Sequence, residues 1–311
     1  MNPRTDLAIE AAEMGQLTEK DGFLETVLPG EIPVSRVKIV SERAERLSGK
    51  PRGNYATVFF DGALTDEELF DQAIHRTAEI LKEFLKGISS VLVVGLGNAE
   101  MTADALGPLT VDRLIVSRHL KEQLPQLYRQ LALGELSALR PGVLGQTGIE
   151  TAELIRAAVN TTSPGAVMVI DALASRRVKR LCATVQISDT GITPGSGVGN
   201  HRIRIDRQWL GIPVISIGIP TVVDAATLTA DALQKAKHQL NDPKTKALAN
   251  TLADDEGDLL RDILGEYESN LVVTPQDIDS LIRRTAKMLS EAINKAVHNL
   301  DREQIDALSG V

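Results

Sequence analysis

Cysteine, aromatic residues and long apolar runs are all scarce in this sequence. The one cysteine, Cys182, excludes an intrachain disulfide and a cysteine-rich zinc site, and we expect it to be a small buried hydrophobic residue. Aromatic residues make up 3 % of the chain, so the core must be built from Val, Ile, Leu and Ala. No stretch approaches the roughly 20 apolar residues of a membrane span, and no apolar run follows Met1 as in a secretory signal. We therefore expect a cytoplasmic protein that is not bound to a membrane.

Positive charge is also limited. The 34 Lys and Arg residues are outnumbered by 42 Asp and Glu residues, which gives a net charge of −8, and the basic residues form no stripe. This distribution argues against direct nucleic-acid binding. Of the 311 residues, 43 % are hydrophobic, which is enough for one large α/β domain. Charged residues and Pro or Gly interrupt the pattern at about 241–268, where we expect a peripheral helical insertion.

Two aspartates follow short apolar runs that are typical of buried parallel strands. The first run, Val91–Val94, leads through Gly95-Leu96-Gly97-Asn98 to Asp104, which we place near the start of the next helix. The second run, Ala166–Ile170, ends directly on Asp171. The carboxyl ends of parallel strands meet at one edge of a sheet, so both carboxylates are expected in one crevice. Taken singly, each aspartate is more often a helix cap or a surface turn than a functional residue.

The other elements are predicted from hydrophobic periodicity and from start and stop signals. Capping-box spacings at Thr65–Glu68 and Thr147–Glu150 predict two helix starts, Thr274-Pro275 predicts a third, and His119 is placed at a helix C-terminus. A turn is predicted at Gly218-Ile219-Pro220. The expected strands are residues 32–40, 55–60, 184–188 and 212–217, and the expected helices are residues 7–14, 69–84, 106–120, 149–159, 223–240 and 275–300.

A glycine-dense loop follows the strand at 184–188 and covers residues 189–200. Such a loop offers backbone N–H groups to an anion or lets a peptide backbone come close. It lacks the P-loop pattern, and the Gly95–Glu100 stretch lacks the third glycine of a dinucleotide fingerprint, so nucleotide binding is weakly indicated. The candidate substrate-binding residues are Asn98, Asp189, Gly195, Ser196 and Gly197.

Several long motifs follow one another along nearly the whole chain. They are Arg4-Thr5-Asp6-Leu7-Ala8, Val93-Val94-Gly95-Leu96-Gly97-Asn98, Asp104-Ala105-Leu106-Gly107-Pro108, Pro141-Gly142-Val143, Thr147-Gly148-Ile149-Glu150-Thr151, Ile170-Asp171-Ala172-Leu173-Ala174, Gln186-Ile187-Ser188-Asp189, Pro194-Gly195-Ser196-Gly197-Val198-Gly199-Asn200 and the stretch from Leu210 to Asp224. With these motifs the chain resembles the germination proteases of endospore-forming bacteria, a family of atypical aspartic endopeptidases.

The resemblance implies a three-layer α/β/α fold with a mostly parallel central sheet, shared with hydrogenase maturation proteases. It implies an endopeptidase that cleaves small acid-soluble spore proteins in the spore core during germination, without a cofactor or a metal. The family's two catalytic aspartates fall on Asp104 and Asp171. The family is made as a zymogen, and its processing site maps to the Asp6–Leu7 bond, which leaves residues 1–6 as a pro-segment and 7–311 as one domain. The family also forms homotetramers.

This sequence departs from the family pattern at three places. Ala103 replaces the usual proline before the first catalytic aspartate, the pro-segment of six residues is short, and the region between Asp224 and Asn270 is also short. In peptide hydrolysis by two carboxyl groups, one activates water and the other carries a proton, and backbone donors of the 189–200 loop would then bind the substrate or the oxyanion.

Two alternatives remain open on the sequence alone. A nickel-dependent, maturation-type protease would need a third ligand beside the two aspartates, such as His119 or His201. A non-enzymatic phosphate- or nucleotide-binding module would use the glycine loop.

Overall fold

The computed structural model describes residues 4–194, 203–239, 271–298 and 300, and a single nine-stranded sheet runs through them. The strands are β1 (Phe23–Leu28), β2 (Val34–Ile39), β3 (Gly53–Phe59), β4 (Ser90–Gly95), β5 (Glu135–Leu139), β6 (Ala166–Ser175), β7 (Thr184–Ser188), β8 (Val214–Asp224) and β9 (Val272–Val273). The helices are α1 (Ala8–Gly15), α2 (Glu42–Ser48), α3 (Glu67–Phe84), α4 (Leu106–Val111), α5 (Arg118–Gln123), α6 (Pro125–Gln130), α7 (Leu144–Thr147), α8 (Thr151–Thr162), α9 (Arg207–Leu210), α10 (Ala225–Gln239) and α11 (Ile278–His298).

The sheet is mixed, with strand order β1-β2-β3-β7-β8-β6-β4-β5 and β9 paired to β8. Strands β5, β4, β6 and β8 run parallel to one another. The pairs β1–β2, β2–β3, β3–β7, β7–β8 and β8–β9 are antiparallel. The parallel part contains both predicted aspartate strands, β4 and β6, as direct neighbours.

Helices cover both faces of the sheet, because alternate residues of its central strands are apolar on each side. On one face, α3, α4 and α11 pack on a large core that includes Val93, Met168 and Ile217. On the other face, α8 packs on Leu92, Val167 and their neighbours, while α1 and α2 pack on β2 and β3. The predicted three-layer α/β/α fold class is therefore confirmed. In the described part of the chain, no helix is both long enough and apolar enough to cross a bilayer.

The helix predicted over residues 106–120 is wrong, because the chain breaks into α4 and α5. Residues between them are held by tertiary hydrogen bonds: Ile115 N–H donates to Asn294 Oδ1 at 3.0 Å and Ser117 N–H donates to the Leu136 carbonyl at 2.9 Å. These partners on α11 and β5 replace the helical ones. His119 consequently lies near the start of α5 rather than at a helix C-terminus.

The predicted turn at Gly218-Ile219-Pro220 is also wrong, since β8 continues through it to Asp224. Pro220 is tolerated because the β6–β8 register shifts beside it: Leu173 pairs with Pro220, but Ala174 pairs with Val222. Thr221 is the extra residue of this bulge. Proline inside a sheet is confined to such irregular positions because it has no N–H to donate.

Three predicted helix starts are displaced. The N-cap of α3 is Asp66 rather than Thr65, and its carboxylate accepts a hydrogen bond from Leu69 N–H at 3.0 Å. Thr147 ends α7, and α8 begins at Thr151 instead of Ile149. Thr274 donates to the Thr221 carbonyl and α11 begins only at Ile278. The insertion expected at 241–268 lies outside the described residues.

Candidate active site

A cavity of about 560 Å³ opens at the carboxyl ends of β4 and β6, and both Asp104 and Asp171 line it. The rest of its wall comes from the turn after β4, from β7 and β8, and from the N-terminal residues Arg4 and Asp6. The structure thus brings the two sequence-predicted aspartates to one crevice. A concave site with converging polar groups is the usual form of a substrate-binding site.

Asp104 lies in a 3-10 turn, Thr102–Asp104, just before α4. Its carboxylate accepts a hydrogen bond from Asn98 N–H at 2.7 Å, so the turn after β4 holds it. Gly97 permits this approach because its φ is +110° and a Cβ there would lie 2.0 Å from the Asp104 carbonyl oxygen. Gly97, which was predicted as a turn residue, therefore also fixes the position of Asp104.

The β8 bulge reaches the same turn from the other side. Thr221 Oγ1 donates to the Ala103 carbonyl at 2.7 Å, and Thr221 also lines the cavity. Bulges commonly re-aim a side chain toward a functional site. Sequence reasoning missed Thr221, although Pro220 within an apolar strand pattern was a signal for a bulge.

Asp171 lies inside β6, not beyond its end, and the residue is 8 % exposed. The apolar run predicted the strand to end at Ile170, which is where β4 stops pairing with β6. Strand β6 continues to Ser175 because β8 still pairs with it on the other side. Asp171 therefore lies where one edge of β6 becomes free.

The N-terminal segment Arg4–Leu7 occupies that free edge. Asp6 N–H donates to the Ala174 carbonyl at 2.9 Å, and Ala174 N–H donates to the Asp6 carboxylate at 2.8 Å. Leu7 is fully buried in a small apolar cluster with Ile9 and Leu173. The predicted processing bond, Asp6–Leu7, is thus held beside the strand that carries Asp171.

Two charged groups fix the segment further. Glu10, fully buried, accepts hydrogen bonds from Arg176 N–H at 2.7 Å and Arg177 N–H at 3.2 Å, and from the Thr5 hydroxyl. Lys50 Nζ donates to the Thr5 carbonyl at 3.0 Å. Burial lowers the pKa of Lys50 below its ordinary value, and the nearby negative charges of Asp6 and Glu10 act in the opposite direction. Neither contact could be predicted from the sequence, because both join residues that are far apart along the chain.

Two other predicted site residues, Asn98 and Asp189, do not line the cavity. The Asn98 side chain accepts from Glu100 N–H and Gln146 Nε2 and so stabilises the turn after β4, whereas Asp189 accepts from the Asn54 backbone and side chain and so joins the residues after β7 to the start of β3. Gly195, Ser196 and Gly197 lie outside the described residues. Cys182 is buried, which raises the pKa of its thiol to about 11, so it is a poor nucleophile near neutral pH.

A nickel-dependent protease would need a third metal ligand beside the two aspartates, and the described residues do not supply one. His119 does not line the cavity, and His201 is not among the residues described. Within residues 4–194, 203–239, 271–298 and 300, no group of three His, Cys, Asp or Glu side chains is arranged to hold a metal ion.

Replacing Gly97 with alanine should displace Asp104. We expect G97A to lose most of any Asp104-dependent activity and to be destabilised by roughly 1–3 kcal/mol from the unfavourable φ alone, measured by chemical denaturation. Gly145→Ala is the matched control, because a Cβ at Gly145 meets no atom within 4 Å. Equal stability and activity of the two variants would contradict the conclusion that Gly97 fixes the position of Asp104.

Known proteins match this chain over most of its length. The family described as "Germination protease" matches residues 9–250. The germination protease of Caldanaerobacter subterraneus subsp. tengcongensis is 45 % identical over 94 % of this chain and 94 % of its own length. That of Clostridium perfringens is 40 % identical over 98 % of each chain. Among solved structures, the crystal structure of a [NiFe] hydrogenase maturation protease, HycI, from Thermococcus kodakarensis matches 69 % of this chain and 98 % of its own, with 16 % identity and a TM-score of 0.36.

Proposed function

Because this chain belongs to the germination protease family, we propose that it is an endopeptidase in which Asp104 and Asp171 carry out peptide hydrolysis. We propose further that it removes its own residues 1–6 by cutting the Asp6–Leu7 bond. The observation that carries the proposal is the N-terminal segment lying along the free edge of β6, in the cavity that both aspartates line. An extended peptide added to a strand edge is a common way to bind a protease substrate or a peptide ligand.

The chemistry requires the two carboxyl groups to differ in protonation. One ionised carboxylate takes a proton from water as the water oxygen bonds to the Asp6 carbonyl carbon. The other, protonated, gives its proton to the Leu7 nitrogen as the carbon–nitrogen bond breaks. The products are a carboxyl group on Asp6 and a free amine on Leu7. Two like charges held near each other favour sharing one proton, and such a pair titrates as a unit, so we assign neither role to one residue.

The finer parts of the proposal follow the family resemblance. We propose that the substrates are small acid-soluble spore proteins, that the protein works in the spore core, and that it assembles as a homotetramer. A substrate related to the Thr5–Glu10 segment would use the contacts that hold this segment now.

The decisive experiment is mass spectrometry of the full chain incubated with a small acid-soluble spore protein, with and without a chelator. We expect loss of residues 1–6 and a discrete cut in the spore protein, both unaffected by the chelator. Activity that the chelator removes and added Ni²⁺ restores would instead support the maturation-type alternative. No cleavage of either protein under any of these conditions would overturn the protease proposal.

A further inference from the structure

Gln186 is a buried polar residue of strand β7, and it touches the backbone on both sides of the Asp6–Leu7 bond. Its Nε2 donates to the Asp6 carbonyl oxygen at 3.3 Å, and its Oε1 accepts from Ala8 N–H at 2.7 Å. Its side chain is 9 % exposed and lines the same cavity as the two aspartates. One side-chain amide thus brackets the bond that we propose is cut.

The register of the sheet places this amide on the side of the sheet that carries Asp171. Gly218 on β8 pairs with Asp171 on β6 and with Gln186 on β7. Paired residues point to the same face, so Asp171 and Gln186 stand on one face, and the Leu173 side chain covers Gly218 between them. Two strand spacings separate their backbones, about 10 Å. The N-terminal segment packs on this face, where Leu7 shares an apolar cluster with Leu173 and the Gln186 amide donates to the Asp6 carbonyl.

Resting on the proposed function, we propose that Gln186 is a further catalytic residue, whose amide binds the carbonyl oxygen of the bond being cut. When water adds to the Asp6 carbonyl carbon, that oxygen takes up the electron pair of the C=O double bond and becomes an oxyanion. The Gln186 N–H then donates to a negative oxygen instead of a neutral one. When the bond to the Leu7 nitrogen breaks, the C=O double bond re-forms and the nitrogen accepts a proton.

A hydrogen bond donated to this oxygen is stronger in the transition state than in the bound peptide, because the negative charge on the oxygen grows. The second contact, from Gln186 Oε1 to Ala8 N–H, fixes the segment and prevents the amide from rotating away. Both contacts are with backbone groups. The same bracket therefore fits any peptide in this position, whatever its side chains, including a substrate chain added from outside.

Two substitutions separate catalysis from positioning. Gln186→Glu keeps an oxygen that accepts from Ala8 N–H but has no N–H to donate, whereas Gln186→Leu loses both contacts. The measurements use the full chain: the first-order rate of loss of residues 1–6, and amide hydrogen exchange at Ala8 in an Asp171→Asn background where the segment stays uncut. Gln126→Glu, an exposed glutamine on α6, is the control for the added charge.

We expect both Gln186 variants to process themselves about 10²- to 10³-fold more slowly, the loss found when one oxyanion donor is removed. We expect Ala8 exchange to rise in Gln186→Leu but to stay near its original value in Gln186→Glu. A Gln186→Glu rate equal to that of the unmodified chain, with only Gln186→Leu slow, would show positioning alone and overturn the inference. If the unmodified chain does not process itself, or if Asp171→Asn processes at the original rate, the proposed function fails, and the inference fails with it.

Discussion

Asparagine at either Asp104 or Asp171 is expected to abolish both self-removal of residues 1–6 and cleavage of a spore protein. An amide can neither take a proton from water nor give one to the leaving nitrogen, and such proton transfers are worth about 10²- to 10⁴-fold each in rate. The fold should survive, because asparagine at position 104 still offers an oxygen to Asn98 N–H. Mass spectrometry of the full chain over time measures the rates, and thermal unfolding checks the fold.

The double substitution gives a sharper test. Two groups that act as one unit lose their function together, so the double variant should be no slower than the slower single one. Asp61→Asn, at an exposed turn after β3, is the matched control and should keep the original rate. A single variant that retains a tenth or more of the activity would exclude the two-carboxylate mechanism, even if the chain remains a protease.

The part of the site formed by β4 could be predicted from the sequence because it depends on residues that are close together along the chain. Four aliphatic residues followed by Gly95 and Gly97 predict a buried strand, a sharp turn and a helix, and Asp104 occupies the predicted place. The structure adds why the glycines are needed. A Cβ at Gly95 would lie 2.3 Å from the Gly107 carbonyl oxygen, so α4 packs directly against the strand end.

Other features depend on contacts between distant parts of the chain and could not be predicted from local pattern. The continuation of β6 past Ile170 depends on its pairing with β8, and the break after Val111 depends on Asn294 of α11. Gln186 alternates with buried apolar residues of β7, which indicates only that it faces the other side of the sheet. Its partners, Asp6 and Ala8, are about 180 residues away along the chain.

The segment Thr5–Glu10 shows the same limit most clearly. Its resemblance to a processing site predicted which bond to examine, but nothing in it predicted that Glu10 would be fully buried against the backbone that follows β6. A buried carboxylate of this kind is stable only while its hydrogen-bond donors are present. Glu10 therefore ties the position of the Asp6–Leu7 bond to the end of β6.

Replacing Glu10 with alanine is the second change from which we expect a large effect. The part-buried hydrogen bonds from the backbone N–H groups of Arg176 and Arg177 to this carboxylate are lost, and a hydrogen bond to a charged group contributes about 1.5–3 kcal/mol. We expect the free energy of unfolding to fall by roughly 2–4 kcal/mol, which is less than the sum for two such bonds because Arg177 is exposed and water can replace its lost acceptor. Amide exchange should increase across residues 4–10, and self-processing should slow because Asp6 is no longer held in the cavity that both aspartates line.

Two further variants distinguish the loss of the Glu10 hydrogen bonds from a general destabilisation of α1. Glu13→Ala removes an ion pair with Arg177 from a half-exposed position of the same helix and should cost less than about 1 kcal/mol. Glu10→Gln keeps one acceptor oxygen and should fall between the original chain and Glu10→Ala in both stability and processing rate. If Glu10→Ala processed itself at the original rate despite increased amide exchange, the position of the segment beside β6 would not control cleavage. The aspartates would then have to act on a segment that reaches them by a different path from the β6 edge.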